Sequence, residues 1–145
     1  CVRQLFSEIK PDEVYNLTGP SSVSDSFRYP YRTLRDIPVH TLNCLEAIKQ
    51  SEGRIKYYNA CSSECYGNIH GQPANEATPF HPVSPYGVAK VASYWATRQY
   101  REAYDLFACS GILFNHESPL RPANFVTQKI VSGAVEIYQK KNWRT

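Results

Sequence analysis

Apolar residues recur at helical spacing in some stretches of the chain and crowd together at strand density in others, and the two kinds alternate. Val2, Leu5, Phe6 and Ile9 keep the period of a helix that Pro11 stops. Glu13 to Leu17 (EVYNL) is a short strand leading into Thr18-Gly19-Pro20-Ser21-Ser22, a turn-forming run. From Tyr31 to Gln50, Leu34, Ile37, Leu42, Leu45 and Ile48 form an apolar stripe of helical period, with Pro38 as a bend or a late start. Gly53 closes that helix, and Arg54 to Cys61 (RIKYYNAC), rich in aromatic and branched residues, reads as a second strand. A helix from Pro85 to about Tyr104 carries Val88, Val91, Ala92, Tyr94 and Trp95, and a third strand covers Phe107 to Phe114. A last helix runs from about Asn124 to Lys140, with Ile130, Ala134 and Ile137 inward. This order of strand, helix and strand predicts an α/β fold with a doubly wound parallel sheet. The connection 65–83 is long, polar and rich in Gly and Pro; loops of that length in compact domains are usually functional.

Composition narrows the partners. The 145 residues, 42% hydrophobic, suffice for one core. A net charge of +3 without a basic run gives no argument for nucleic acid or a membrane surface. No apolar stretch approaches ~18 residues and no signal peptide is visible, so a cytoplasmic location is expected. Five cysteines with no CxxC pair fit reduced thiols better than a disulfide framework. Cys61, Cys65 and His70 lack a fourth ligand, and Cys61 falls in strand pattern, so no metal site is assigned. The sequon Asn16-Leu17-Thr18 lies at a strand end and is set aside, and His70 and His81 are read as surface residues.

Candidate chemistry concentrates in Ser84-Pro85-Tyr86-Gly87-Val88-Ala89-Lys90. Ser84 can cap a helix whose first residue is Pro85, placing Tyr86 and Lys90 on one face of its first turns. A phenol with a pKa near ~10 is a poor base, and a nearby ammonium favours its phenolate. Upstream, Ser62 and Glu64 supply a hydroxyl and a carboxylate at the carboxyl end of a strand, where open α/β sheets place their sites. Together these four residues make an acid–base set. Against this, aromatic–lysine pairs are common on solvated helices, Ser62 is a ordinary turn residue by type, and glutamate is most often a surface carboxylate.

YNACSSECYG, SPYGVAKVASYWATRQYREAY and GILFNHESPLRPANFVTQKI together resemble the GDP-mannose 4,6-dehydratase family, extended short-chain dehydrogenase/reductases acting on sugar nucleotides. The resemblance runs from about Pro11 to the end. It implies a Rossmann-type NADP-binding domain that dehydrates GDP-mannose to GDP-4-keto-6-deoxymannose. In that scheme Tyr86, Lys90, Ser62 and Glu64 are catalytic. Leu17, Thr18, Gly19, Ser21, Lys90, His116 and Arg121 lie beside NADP, while Asn115, Glu117, Val126 and Lys129 face the substrate. The helices 31–50 and 85–104 build a homodimer or homotetramer. The chain departs from the family at Thr18-Gly19-Pro20, Arg32 and Pro38. None of its seven glycines forms a GxGxxG turn. The residues are therefore read as the central part of the domain, 1–145, lacking the N-terminal glycine-rich βαβ unit, with a substrate region only begun at 115–145; the isolated piece is expected to be inactive. The alternatives are another sugar-nucleotide dehydratase or epimerase of the superfamily, or a non-catalytic binding protein on this fold.

Overall fold

The computed structural model describes residues 2–51 and 53–140, which divide into two compact units, one ending at Phe114 and one beginning at Asn115. In the first unit, α1 (Val2–Ile9), β1 (Glu13–Asn16), α2 (Val23–Arg28), α3 (Pro30–Lys49), β2 (Lys56–Ser62), α4 (Pro85–Tyr104) and β3 (Ala108–Leu113) follow one another. The strands pair in the order β1-β2-β3, all parallel, with Asn16 opposite Asn59 and Ser62 opposite Leu113. The parallel α/β sheet expected from the alternating segments is thus present, as a partial and unclosed sheet.

Strand alternation decides which face is covered. Val14, Tyr57 and Ala108 point to the face where α1, α3 and α4 contribute Phe6, Leu45, Ile48, Ala96 and Tyr100 to one core. The opposite face presents Tyr15, 63% exposed, Tyr58 and the exposed Cys109, none of which belongs to a core cluster. Under the helices the sheet carries polar groups. Asn16 donates from Nδ2 to the Tyr57 hydroxyl at 2.9 Å, and Asn59 donates to Ser110 Oγ at 3.2 Å. Buried polar groups that keep partners cost little, whereas orphaning one costs about 1–3 kcal/mol, so this ladder fixes the strand register.

Three features differ from the sequence reading. Helix α2 emerges from the Ser-rich turn because Ser22 accepts a hydrogen bond from the Asp25 amide at 3.2 Å, capping its start. Helix α3 runs unbroken through Pro38 from a start at Pro30. The carbonyl that Pro38 leaves without an amide is that of Leu34, a residue 41% exposed, so water can satisfy it. The buried faces are also not the apolar stripes alone. Ile37, Leu45 and Ile48 are inside as expected, but with Thr33 and Thr41, and α4 buries Tyr86, Ala89, Lys90, Ser93 and Thr97. Leu34, Leu42, Val88 and Trp95 face outward.

The second unit contains α5 (Val126–Lys140), preceded by turns in which Gln128 donates to the Ser118 and Pro119 carbonyls. Here Ile130 is 64% exposed and Ala134 is exposed, contrary to the expected inward face. A single helix has no second element within its own unit against which to bury a stripe.

Candidate active site

Helix α4 begins as its sequence directs. Ser84, with φ −132° and ψ 153°, accepts the Gly87 amide at 3.0 Å, and Pro85 occupies the first helical position. This start sets Tyr86 and Lys90 on the buried face, 9% and 7% exposed. Lys90 Nζ donates to the Ala60 carbonyl of β2 at 2.7 Å and lies 5.6 Å from the Tyr86 ring centre.

Ser62 ends β2 and accepts the Glu64 amide at 3.3 Å, capping a single 3₁₀ turn over Ser63–Cys65. That turn is pressed onto α4. A Cβ on Gly87 would stand 2.7 Å from the Glu64 carbonyl oxygen, so only glycine lets the two backbones meet. Ser62 and Glu64 are half-buried at the carboxyl edge of the sheet, and Glu64 borders a cleft of about 370 Å³ with Ser63, Tyr66, Val83 and Phe114. A larger hollow of about 470 Å³ lies around Arg3, Lys10 and Arg54, at the other end of β2, and holds none of the candidate residues.

The electrostatics depart from the simple expectation for Tyr86. Burial pushes its phenol above the ordinary value, and a hydrogen bond with Ser62 pulls the other way without winning. Burial also lowers Lys90. The ammonium is hydrogen-bonded to the Ala60 carbonyl.

At the end of β1, Leu17, Thr18, Gly19 and Ser21 are all exposed along the same carboxyl edge. The Asn16 carboxamide oxygen accepts from Thr18 Oγ1 at 2.6 Å and from the Thr18 amide at 3.2 Å, which shapes the turn. Gly19 has φ +106°, and a Cβ there would come 2.8 Å from Ile37 Cγ1. Ile37 packs in turn with Tyr86, Ala89 and Val23, so one side chain underlies both the turn and the helix of Tyr86. Leu17, Thr18, Gly19 and Ser21 form an exposed turn at a strand end. Asn16 is the member that sequence reasoning missed; a polar residue closing an apolar strand was its only signal.

The remaining candidates belong to the second unit. Asn115, His116, Glu117 and Lys129 are exposed, and Val126 opens α5, 68% exposed. Arg121 lies 3.5 Å from the Glu117 carboxylate and stacks 3.8 Å from the Phe125 ring centre, so its fork is engaged within the unit. Among the described residues no group of three or more His, Cys, Asp or Glu side chains gathers as metal ligands, and no helix is long and apolar enough to cross a membrane.

A family model described as GDP-mannose 4,6 dehydratase matches residues 1–144. The chain belongs to the GDP-mannose 4,6-dehydratase family. Among its relatives, the GDP-mannose 4,6 dehydratase of Cricetulus griseus is 48% identical over 95% of this chain and 38% of its own length. GDP-mannose 4,6 dehydratase 2 of Arabidopsis thaliana is 52% identical over 89% of this chain and 35% of its own. The chain thus spans little more than a third of the curated relatives it matches. Among solved structures, RMD from Pseudomonas aeruginosa, complexed with NADPH, superposes with a TM-score of 0.79 at 32% identity, covering 90% of this chain and 44% of that one. A dTDP-glucose 4,6-dehydratase from Streptomyces venezuelae shares the fold, with a TM-score of 0.81 at 19% identity. In this dehydratase-family chain, Ser62, Glu64, Tyr86 and Lys90 therefore occupy one edge of a sheet whose architecture recurs among sugar-nucleotide enzymes.

Proposed function

We infer that the protein of which this chain forms a part dehydrates GDP-mannose to GDP-4-keto-6-deoxymannose with NADP, and that Tyr86, Lys90, Ser62 and Glu64 carry the proton transfers. The observation that supports this most is the docking of the Ser63–Cys65 turn onto α4 through Gly87, which brings a carboxylate and a tyrosine–lysine pair to one edge. The C5 proton of a hexose is not acidic until C4 is a ketone. Tyr86 takes the 4-hydroxyl proton, Ser62 hydrogen-bonds the same oxygen, and the positive charge of Lys90, 5.6 Å from the Tyr86 ring centre, favours the tyrosinate. Glu64 then removes the C5 proton and returns one to the departing 6-hydroxyl. NADP, which Leu17, Thr18, Gly19 and Ser21 would hold, would supply the acceptor for the C4 hydride and its return to C6, while the proton held by Tyr86 goes back to C5, so the net change is loss of water.

In the same reading His116 and Arg121 belong to the cofactor side, while Asn115, Glu117, Val126 and Lys129 belong to the GDP side. The exposed Leu34, Leu42, Val88 and Trp95 on α3 and α4 belong in this reading to the interface of a homodimer or homotetramer, since large outward apolar side chains on packed helices fit an interface. The reaction is placed in the cytosol, and the residues 1–145 alone are expected to be inactive. The test incubates the whole enzyme with NADP and a panel of sugar nucleotides, followed by mass spectrometry. A product lighter by one water from GDP-mannose alone supports the reading. Mass-neutral conversion would point to an epimerase, and turnover of none would favour a binding protein.

A further inference from the structure

Two thiols that the acid–base scheme does not use lie directly beneath it. Cys61 Sγ and Cys65 Sγ are 3.2 Å apart, and the residues are only 2% and 0% exposed. Cys61 ends the buried part of β2, Cys65 ends the 3₁₀ turn, and between them stand Ser62, Ser63 and Glu64. The turn is held from outside, with the His81 amide donating to the Cys65 carbonyl at 2.9 Å and α4 packed on Glu64. The Cys61 thiol donates to the Lys90 carbonyl at 3.6 Å, one helical turn beyond Tyr86.

The two sulfurs are electrostatically unequal. A hydrogen bond from Cys65 lowers the Cys61 thiol below its usual range, against burial and with help from the Lys90 charge. The same contact and burial push Cys65 up. An attacking thiol beside a resolving thiol has this asymmetry. Hydrogen peroxide is little larger than water, and the half-exposed Ser62–Glu64 segment is the layer it must pass.

We propose that Cys61 and Cys65 are a redox-modification site, which a peroxide oxidises to a disulfide closing a ring around Ser62 and Glu64. Cys61 sulfur attacks one peroxide oxygen; the O–O bond breaks, a sulfenic acid forms, and the released hydroxide leaves as water with the Cys61 proton. Cys65 sulfur then attacks Cys61 sulfur. The S–S bond forms, the S–O bond breaks, and the hydroxide takes the Cys65 proton, so two thiols and one peroxide give one disulfide and two waters. Drawing the sulfurs together from 3.2 Å to a covalent bond shifts the turn by about 1 Å. A misplacement of that size at a catalytic group costs about 10²-fold in turnover, a consequence that rests on the dehydratase reading.

The test treats the whole enzyme with graded hydrogen peroxide, blocks remaining thiols with an alkylating agent, and maps tryptic peptides. The peptide 57–90 contains both cysteines and no other. Its loss of two hydrogens and of both alkyl groups, reversed by dithiothreitol, is the expected result. In Cys65→Ser the same peptide is expected to carry a sulfenic acid trapped by a cyclic dione. Two alkyl groups on wild-type peptide 57–90, at a dose that oxidises the exposed Cys109, would overturn the proposal. A disulfide formed with turnover unchanged would overturn its coupling to Glu64. Because the mass readout needs no activity, a protein that dehydrates nothing would count against the dehydratase reading and leave the thiol result standing.

Discussion

Gly87→Ala isolates the contact that joins the two halves of the site. The added methyl would lie 2.7 Å from the Glu64 carbonyl oxygen, 3.1 Å from Pro82 Cβ and 3.3 Å from Ser84 Oγ. Ordinary contact begins at 3.4 Å, so the carbonyl must retreat by about 0.7 Å, and it belongs to backbone that cannot rotate away. Overpacking of this kind costs about 1–3 kcal/mol, offset by the ~1 kcal/mol that alanine gains over glycine within a helix. The net expectation is a loss of about 1 kcal/mol in stability. Function is expected to suffer more, because the moving backbone carries Glu64; a shift approaching 1 Å costs up to about 10²-fold in kcat. Thermal denaturation and steady-state water loss from GDP-mannose, measured on the whole enzyme, separate the two effects. A Gly87→Ala enzyme with wild-type kcat and an unchanged or raised Tm would refute the claim that this approach positions the carboxylate.

Other outcomes follow from the same geometry. Asn16→Ala is expected to destabilise the fold by about 1–3 kcal/mol, since the Tyr57 hydroxyl and Thr18 lose their partner, and to raise KM for NADP more than it lowers kcat; denaturant unfolding and kinetics check both. Lys90→Met is expected to lower kcat by about 10²–10⁴-fold while keeping the fold, which circular dichroism and turnover would show together. Because burial raises the Tyr86 phenol, kcat/KM is expected to climb with pH above neutrality. Tyr100 is pushed up to about 12 by its hydrogen bond to Glu46. Its folded value exceeds the unfolded one of ~10, so its contribution is complete below that pH and is lost as pH rises towards 12. Tyr100→Phe is therefore expected to lose less Tm than wild type across that window.

Much of this was legible in the chain because local rules and tertiary packing agree. Ser84-Pro85 fixed where α4 starts, and that start alone determines that Tyr86 and Lys90 share a face. The strand ending at Ser62 was readable from its branched and aromatic run, to within a residue or two at its ends. The burial of α4 was less legible, because its inner face is built from Ala89, Ser93 and Thr97, small residues that allow close packing but carry no apolar signal. Pro38 misled for a related reason: one proline breaks an isolated helix, but α3 is held on both sides of it by Ile37 and Leu45 in separate core clusters. The Tyr86 phenol could not be judged from spacing to Lys90. Its titration depends on burial and on the opposing hydrogen bond with Ser62, both of which are tertiary facts.

Turnover of GDP-mannose by the whole enzyme in heavy water reads out the proposed removal of the C5 proton by Glu64. Wild-type product is expected to carry one solvent deuterium at C5, and Glu64→Gln is expected to form product at least about 10²-fold more slowly with its fold intact. Product that keeps its original C5 hydrogen, or a Glu64→Gln enzyme that loses water at the wild-type rate, would contradict it.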